Sequence, residues 1–321
     1  MLPFQAFYIF TYTNSKNNNI IETSATPTIL ITGAQGMLGR FLCNEYIDCK
    51  VTTLGLDSAN DIACDLAGGK PALDSRFDTI IHAAGSTCNE QAIEVNLNGT
   101  INLCKALSNN PPRQFVFISS VQVYGIDSRE DIDESTPANP TTPYGSSKLQ
   151  AEQYLTQWCN SHNVVLSILR PALIMGTGMK GTLLSMIKGI SDGYYFHIKG
   201  NDARRSIVHA KDVAKAARLI APIGGTFNLT DNTHPTVHDL AEAIAHRIGG
   251  KRIYTLPRWC VNLAASMGDI MGGKAPLSSK KLQQLTTTLT FNSDAISKAI
   301  DWSPVNVADY LRNHQYTDND I

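Results

Sequence analysis

Tyr144 and Lys148 stand four residues apart in TTPYGSSKLQAE (141–152). Pro143 suits the first turn of a helix, and Leu149, Ala151, Glu152 and Leu155 suit its body. Positions i and i+4 share a helix face, so a phenol and an ammonium project side by side. A phenol with a pKa near ~10 is a poor proton acceptor at neutral pH, and an adjacent cation favours the phenolate. The pair can therefore serve acid/base chemistry. The plainer use of the same spacing is packing, with the lysine stem laid along the helix. What else the chain carries decides between them.

A second chemical feature lies near the start. TILITGAQGMLGRFL (28–42) carries Gly33, Gly36 and Gly39 between an apolar β-branched run and a helical stretch. A tight turn, close approach to a pyrophosphate and close helix–strand packing each exclude a Cβ. The helix N-terminus then offers free N–H groups and a favourable dipole to phosphate. The spacing G-x-x-G-x-x-G in this context predicts dinucleotide binding. The next β-branched run ends at Asp57, where a carboxylate meets ribose hydroxyls and repels a 2′-phosphate, favouring NAD. A solvated turn aspartate is the alternative, and Arg40 beside the loop keeps NADP possible.

These groups need a scaffold. Apolar runs at 28–32, 50–56, 78–84, 114–120 and 164–170 alternate with helical stretches at 36–47, 91–108 and 144–160. Continuous apolar strands alternating with helices predict a parallel sheet buried on both faces, hence a doubly wound α/β domain. Beyond about residue 175 the rhythm loosens. A strand at 225–230 and helices near 236–248, 257–268 and 293–300 predict a smaller second domain, interleaved with the first.

Bulk properties exclude several classes. The 321 residues are 43% hydrophobic and 17% charged, with net charge −1, which gives no electrostatic reason to expect nucleic acid. No apolar run is long enough to span a bilayer. The stretch LPRWCVNLAASMGDIM (256–271) has a membrane-touching helix as its alternative reading, but it is short and followed by Gly-Gly, so it is expected to pack in the core or a lid. Seven scattered cysteines without a C-x-x-C pair indicate reduced thiols, a cytoplasmic protein and no metal site. Residues 1–27 start aromatic and turn Asn/Ser/Thr-rich without a basic segment, which predicts a poorly ordered extension rather than a signal peptide, with a targeting or membrane-touching role as the alternative.

Taken in order, the motifs resemble the extended short-chain dehydrogenase/reductase family, in its branch of nucleotide-sugar epimerases, dehydratases and ketoreductases. The resemblance runs from residue 28 to about residue 310. TGAQGMLG resembles the family's T-G-x-x-G-x-x-G, CDL (64–66) its adenine-contacting segment, and HAAG (82–85) the segment that runs past the cofactor. NLNGT (96–100), SSVQVYG (119–125), PYGSSK (143–148), LRPALIMG (169–176) and RRSIVHAKDVA (204–214) are each similar to further family motifs.

The resemblance implies a Rossmann-type doubly wound parallel sheet over 28–175, with a smaller C-terminal substrate-binding domain over 176–321. It implies an NAD-binding set of Gly33, Gly36, Met37, Leu38, Gly39, Asp57, Asp65, Leu66, Ala83, Ala84, Gly85, Asn96, Tyr144 and Lys148. Tyr144 is then the acid/base, Lys148 holds the nicotinamide ribose and lowers the phenol pKa, and Ser120, rather than Ser119, hydrogen-bonds the reacting oxygen. Asn96 equally suits a helix cap. His82 and His209 are implied to be structural. Arg205 falls at the position of a diphosphate-binding arginine, with a surface role as the alternative.

Sugar dehydratases of the family carry an acid one or two residues beyond the catalytic Ser/Thr. Val121 and Gln122 stand there, which argues against dehydration. An NAD(P)-dependent 4-epimerase or 4-ketoreductase of a nucleotide-activated sugar remains, in polysaccharide precursor synthesis. KKLQQLTTTLTFNSDAISKAIDWSP (280–304) departs from galactose-type epimerases and is more similar to polysaccharide-pathway enzymes. The rivals are a steroid- or flavonoid-type reductase, which Arg205 disfavours, and a non-catalytic dinucleotide sensor, which Ser120, Tyr144 and Lys148 disfavour. The resemblance also implies a homodimer through the helices at 91–108 and 144–160, with Tyr154, Leu155 and Trp158 in contact.

Overall fold

In the computed structural model, residues 26–179, 181–271 and 277–314 are described. The expected disordered extension lies outside them but for Thr26 and Pro27. The first half runs β1 (Thr28–Thr32), α1 (Met37–Glu45), β2 (Lys50–Gly55), β3 (Ile62–Ala63) and β4 (Thr79–His82). A π-helical turn (Ile93–Asn98) leads into α2 (Gly99–Leu107) and β5 (Gln114–Ile118). A 3₁₀ turn (Val121–Tyr124), β6 (Arg129–Ile132), α3 (Pro143–His162) and β7 (Val165–Pro171) follow.

The second half holds β8 (Leu173–Met175), α4 (Thr182–Ser191), β9 (Phe196–Ile198), β10 (Ile207–His209), α5 (Ala210–Ile220) and β11 (Gly225–Leu229). Then come α6 (Val237–Arg247), β12 (Tyr254–Leu256), α7 (Arg258–Met271) and α8 (Ser279–Thr286). The described chain finishes with β13 (Leu289–Phe291), α9 (Asp294–Ala299) and α10 (Val307–Asn313).

Seven parallel strands form the main sheet in the order β3-β2-β1-β4-β5-β7-β11. The chain reverses direction across the sheet between β1 and β4, so the crevice that binds ligands in such sheets opens above their carboxyl ends. The two faces explain why the strands read as continuous apolar runs. Ile29, Ile31, Ile81, Val116 and Leu169 pack under α1 and α5, while Leu30, Ile80, Phe115, Phe117 and Ile168 pack under α2 and α3.

The later segments return to earlier ones. β11 pairs with β7 in the main sheet, β10 with β8, and β13 with β6. A separate core of α4, α6 and α10 is built on Leu183, Ile187, Leu240, Ile244, Val307 and Leu311. The short strands β6, β8, β9, β10, β12 and β13 carry too few residues for a period to show in the sequence.

Two expectations need correction. Leu155 and Trp158 are buried in the chain's own core beside Phe115, so they are not available to a partner subunit, and Tyr154 is half-buried. The stretch 256–271 is not core. Only Val261, Ala265 and Gly268 of α7 are buried, and its outward face is apolar and exposed.

Candidate active site

The glycine turn is shaped by contacts that forbid side chains. Gly33 has φ +71°, and a Cβ there would stand 2.7 Å from the Ala84 nitrogen. A Cβ on Gly39 would stand 2.1 Å from the Gly33 oxygen, so α1 sits directly on the turn. The helix begins at Gly36, without a side-chain cap, leaving first-turn N–H groups of Met37 and Leu38 for an anion. The Leu38 side chain is itself in the core, so its contribution to such a site is backbone. Gly85 closes the other wall. A Cβ on it would lie 2.9 Å from Asn96 Oδ1 and 3.1 Å from Lys148 Nζ. The cradle thus fits a dinucleotide: a left-handed turn, an open helix N-terminus, and a second loop, Ala83–Gly85, passing close by.

That second loop is tied down by a buried histidine. Thr100 Oγ1 donates to the Asn96 carbonyl at 2.6 Å, so its oxygen accepts from His82 Nε2 at 2.9 Å. Thr32 Oγ1 accepts from the Ala84 N–H at 3.1 Å and is 2.6 Å from His82 Nδ1. The network assigns a neutral His82 protonated on Nε2. Burial pushes its pKa down to about 3, with Lys148 nearby adding to the shift.

A testable pH dependence follows. The unfolded histidine binds its proton near 6.5 and the folded one does not until about 3. Stability is therefore intact above pH 6.5 and is lost as pH falls from there toward 3, by up to about 1.4 kcal/mol per pH unit. Urea unfolding at pH 5 should show about 2 kcal/mol less stability than at pH 7 from this residue. His82→Gln should be less stable at pH 7 and should lose that part of the slope. An unchanged slope would remove His82 from the account.

Helix α3 brings the acid/base residues to the crevice. Thr142 caps it by accepting from Gly145 N at 3.0 Å, and Pro143 takes its first turn. Gly145 lets the helix approach the 3₁₀ turn: a Cβ there would be 2.5 Å from the Gln122 oxygen. Ser120 N-caps that same turn, accepting from Gln122 N at 3.2 Å. The result brings the Ser120 hydroxyl toward the Tyr144 phenol, whose pKa it draws down. Lys148 lies one turn on, buried, with Nζ donating to the Ile118 carbonyl at 2.9 Å and 4.9 Å from the centre of the Phe117 ring. Burial pushes Lys148 down to about 8, with Glu152 opposing.

Here the expected electrostatics differ. The i, i+4 reading has Lys148 lowering the phenol pKa, yet burial raises Tyr144, and the opposing influence comes from the Ser120 hydroxyl. The ammonium is aimed at a carbonyl of β5 rather than at the phenol.

The two serines divide. Ser119 Oγ donates to Glu152 Oε1 and so belongs to a buried network behind the site. Glu152 takes a bidentate grip from Arg170, Nε to Oε1 at 3.0 Å and Nη2 to Oε2 at 2.6 Å. Arg170 Nη1 donates to Tyr124 OH at 3.0 Å, and Tyr124 donates to Asn228 Oδ1 at 2.8 Å. These contacts lock α3 to β7, the 3₁₀ turn and β11. None of the network was singled out as functional, although Glu152 continues the Tyr144–Lys148 face at i+4.

The remaining candidates are scattered in their engagement. Asp57 is exposed just beyond β2, with Oδ1 accepting from Ala59 N at 2.9 Å. Asp65 makes a similar turn with Ala67 N at 3.0 Å, and the Leu66 side chain is buried against Gly99. Asn96 is neither exposed nor a helix cap. Its amide spans the Ser86 backbone and Ser147 Oγ, and Ser147 donates in turn to the Tyr144 carbonyl. Its side chain thus ties the Gly85 loop to α3.

Arg205 donates to the carbonyls of Arg204, Thr287 and Gln284, the last two at the C-terminus of α8. Its Nε–H and one Nη2–H have no partner among the described residues. His197 Nε2 is 3.0 Å from Glu242 Oε1, and with His238 these atoms lie within 4.8 Å of one another, a grouping the sequence reading did not anticipate.

Comparison with known proteins places this geometry. A 4-epimerase of N-acetyl-α-D-glucosaminyl-diphospho-ditrans,octacis-undecaprenol from Escherichia coli O157:H7 is 24% identical over 316 residues, covering 90% of this chain and 94% of that protein. The UDP-glucose 4-epimerase of Bacillus subtilis (strain 168) is 24% identical over 282 residues, covering 70% and 83%. The fold matches the UDP-glucuronic acid 4-epimerase of Bacillus cereus, solved in complex with NAD, at TM-score 0.68 and 18% identity over 89% of this chain and 94% of that one. The profile of the NAD dependent epimerase/dehydratase family matches residues 29–229, which takes in the glycine cradle, Ser120, Tyr144, Lys148 and every strand of the main sheet but the first residue of β1. With the parallel sheet, its crevice and the match over more than half its length, the chain belongs to the NAD dependent epimerase/dehydratase family.

Proposed function

We propose that the chain is an NAD-dependent 4-epimerase of a diphosphate-activated sugar. The observation that carries this reading is the gathering of Ser120, Tyr144 and a buried Lys148 beside the Gly33–Gly85 cradle. Bound there, the nicotinamide supplies a reversible acceptor for hydride from a ring carbon. The protein's part is the proton. Tyr144 accepts the proton of the sugar hydroxyl as the carbon is oxidised and returns it on reduction, and Ser120 holds the same oxygen in line. Lys148 would hold the nicotinamide ribose and Asp57 the adenosine ribose hydroxyls, where its carboxylate would disfavour a 2′-phosphate.

The relatives named above, both 4-epimerases, favour hydride return over a net reduction. Val121 and Gln122, in the 3₁₀ turn beside Ser120, have no proton to trade, in keeping with chemistry that stops short of dehydration. The two remaining donors of Arg205 suit a diphosphate, which a planar guanidinium binds in fork geometry.

The test is turnover of UDP-sugars with NAD. A 4-epimerase gives the C4-inverted product with no net change in NADH absorbance, whereas a ketoreductase consumes NADH in proportion to product. Charge-assisted hydrogen bonds are worth about 1.5–3 kcal/mol each. Arg205→Ala should therefore raise KM, and the inhibition constant of UDP, by roughly tenfold to a hundredfold. Loss of melting temperature with unchanged UDP inhibition would make Arg205 a cap of α8 and nothing more.

A further inference from the structure

Helix α7 presents an apolar stripe with no cover among the described residues. Trp259, Leu263, Met267, Ile270 and Met271 recur at spacings of three and four and are 57–88% exposed, while Val261, Ala265 and Gly268 face inward onto α8 through Leu282. Fourteen residues make a rod about 21 Å long, too short to cross a bilayer but suited to lie in its plane. Tyr254, also exposed, adds a second amphipathic ring under the Arg252 guanidinium. Tryptophan and tyrosine concentrate where hydrocarbon meets headgroups.

The charge of the segments that carry the stripe is mostly positive. The described residues of 251–281 include Lys251, Arg252, Arg258, Lys280 and Lys281 against the single acid Asp269, in a chain whose net charge is −1. Asp269 is also engaged, accepting from the Ser279 N–H at 2.9 Å. An apolar stripe with a basic rim complements an anionic lipid surface. A second copy of the chain would carry the same positive rim and repel it.

Position links this face to the substrate side. α7 packs on α8, and the C-terminal carbonyls of α8 are held by Arg205. A diphosphate at the free edge of Arg205 would thus lie one helix away from the stripe.

From this we propose that α7 is a membrane-docking helix through which the enzyme takes sugars carried on a polyprenyl diphosphate. The proposal rests on the reading that the chain epimerises a diphosphate-activated sugar. It adds that the far side of the diphosphate carries a lipid seated in the bilayer beneath α7. No covalent step beyond the epimerisation is involved.

The experiment uses the full chain and phosphatidylcholine vesicles with and without 30% phosphatidylglycerol. Flotation should recover the protein with the anionic vesicles and not with the neutral ones, and binding should fall as salt is raised. The Leu263→Glu/Ile270→Glu variant changes two exposed side chains, so it should fold as the wild type and turn over a water-soluble UDP-sugar unchanged. Its vesicle binding should drop at least tenfold. Its turnover of polyprenyl-diphosphate N-acetylglucosamine in those vesicles should drop at least tenfold with it.

Failure of the wild type to float overturns the proposal, as does a double variant that floats equally well. So does light scattering that shows a wild-type dimer becoming a monomer in the variant, since the stripe would then face a second copy. Flotation without any selective loss of lipid-linked turnover overturns the substrate assignment. Flotation reads the surface without substrate, so absence of turnover on every diphosphate sugar would count against the function proposed above and leave the docking surface standing.

Discussion

Tyr144→Phe should cut turnover by roughly 10²–10⁴, the usual worth of a positioned acid/base, while NAD affinity and melting temperature change little. The reasoning is local. The variant removes one oxygen, and the Ser120 hydroxyl is the polar group that influences it. The backbone of Tyr144 is held independently, its N–H by Asn89 Oδ1 at 3.3 Å and its carbonyl by Ser147. Ser120→Ala tests the same pairing from the other side. Because the Ser120 hydroxyl opposes the rise that burial imposes on the phenol, its loss should move the phenol pKa further up. Turnover of Ser120→Ala should then fall and its pH profile shift to higher pH. If Tyr144→Phe retains near-normal turnover with a bound dinucleotide, the phenol is a packing group and the proton passes elsewhere.

What could be read from the sequence, and what could not, separates along physical lines. β1, β4 and β5 are buried on both faces, so each announces itself as an apolar run, and the expected spans at 28–32 and 114–120 match the structure to within two residues. The glycine turn was legible because a Cβ is excluded at Gly33 and Gly39 by backbone atoms, a constraint that leaves its mark on residue type. Three-residue strands such as β8, β9 and β10 leave no such mark. Nor does charge direction. Spacing alone puts Lys148 beside Tyr144, but it cannot show that the ammonium turns to the Ile118 carbonyl, because that carbonyl comes from a different element. Leu155 and Trp158 illustrate the same limit. Their apolar character is plain, yet only the packing against Phe115 shows that they face the chain's own sheet. The exposed stripe of α7 is the converse case, an apolar helix face that composition assigns to a core and the fold leaves outside.

The buried network behind the site carries the second large effect, on stability. Glu152 and Arg170 are 4% and 8% exposed and joined by two hydrogen bonds. Glu152→Ala would strand the guanidinium in a site from which water is excluded. Removing one partner of such a pair costs about 3–5 kcal/mol, much of it the uncompensated charge left behind. In a chain of this size the melting temperature should fall on the order of 10 °C. Glu152→Met with Arg170→Met should recover much of the loss, because the charges leave together and apolar volume remains.

Glu152→Gln isolates the charge from the shape. It keeps an oxygen for Arg170 and for Ser119 but removes the anion that opposes the downward shift of Lys148. The Lys148 ammonium, already pushed down to about 8 by burial, should then lose its proton at still lower pH. The alkaline fall in activity should move toward neutrality in this variant and not in Arg170→Met, where the carboxylate stays. A purely architectural Glu152 would lower the melting temperature and leave the pH profile where it was. A shift of the profile assigns it to positioning and charging the lysine beneath the reacting oxygen.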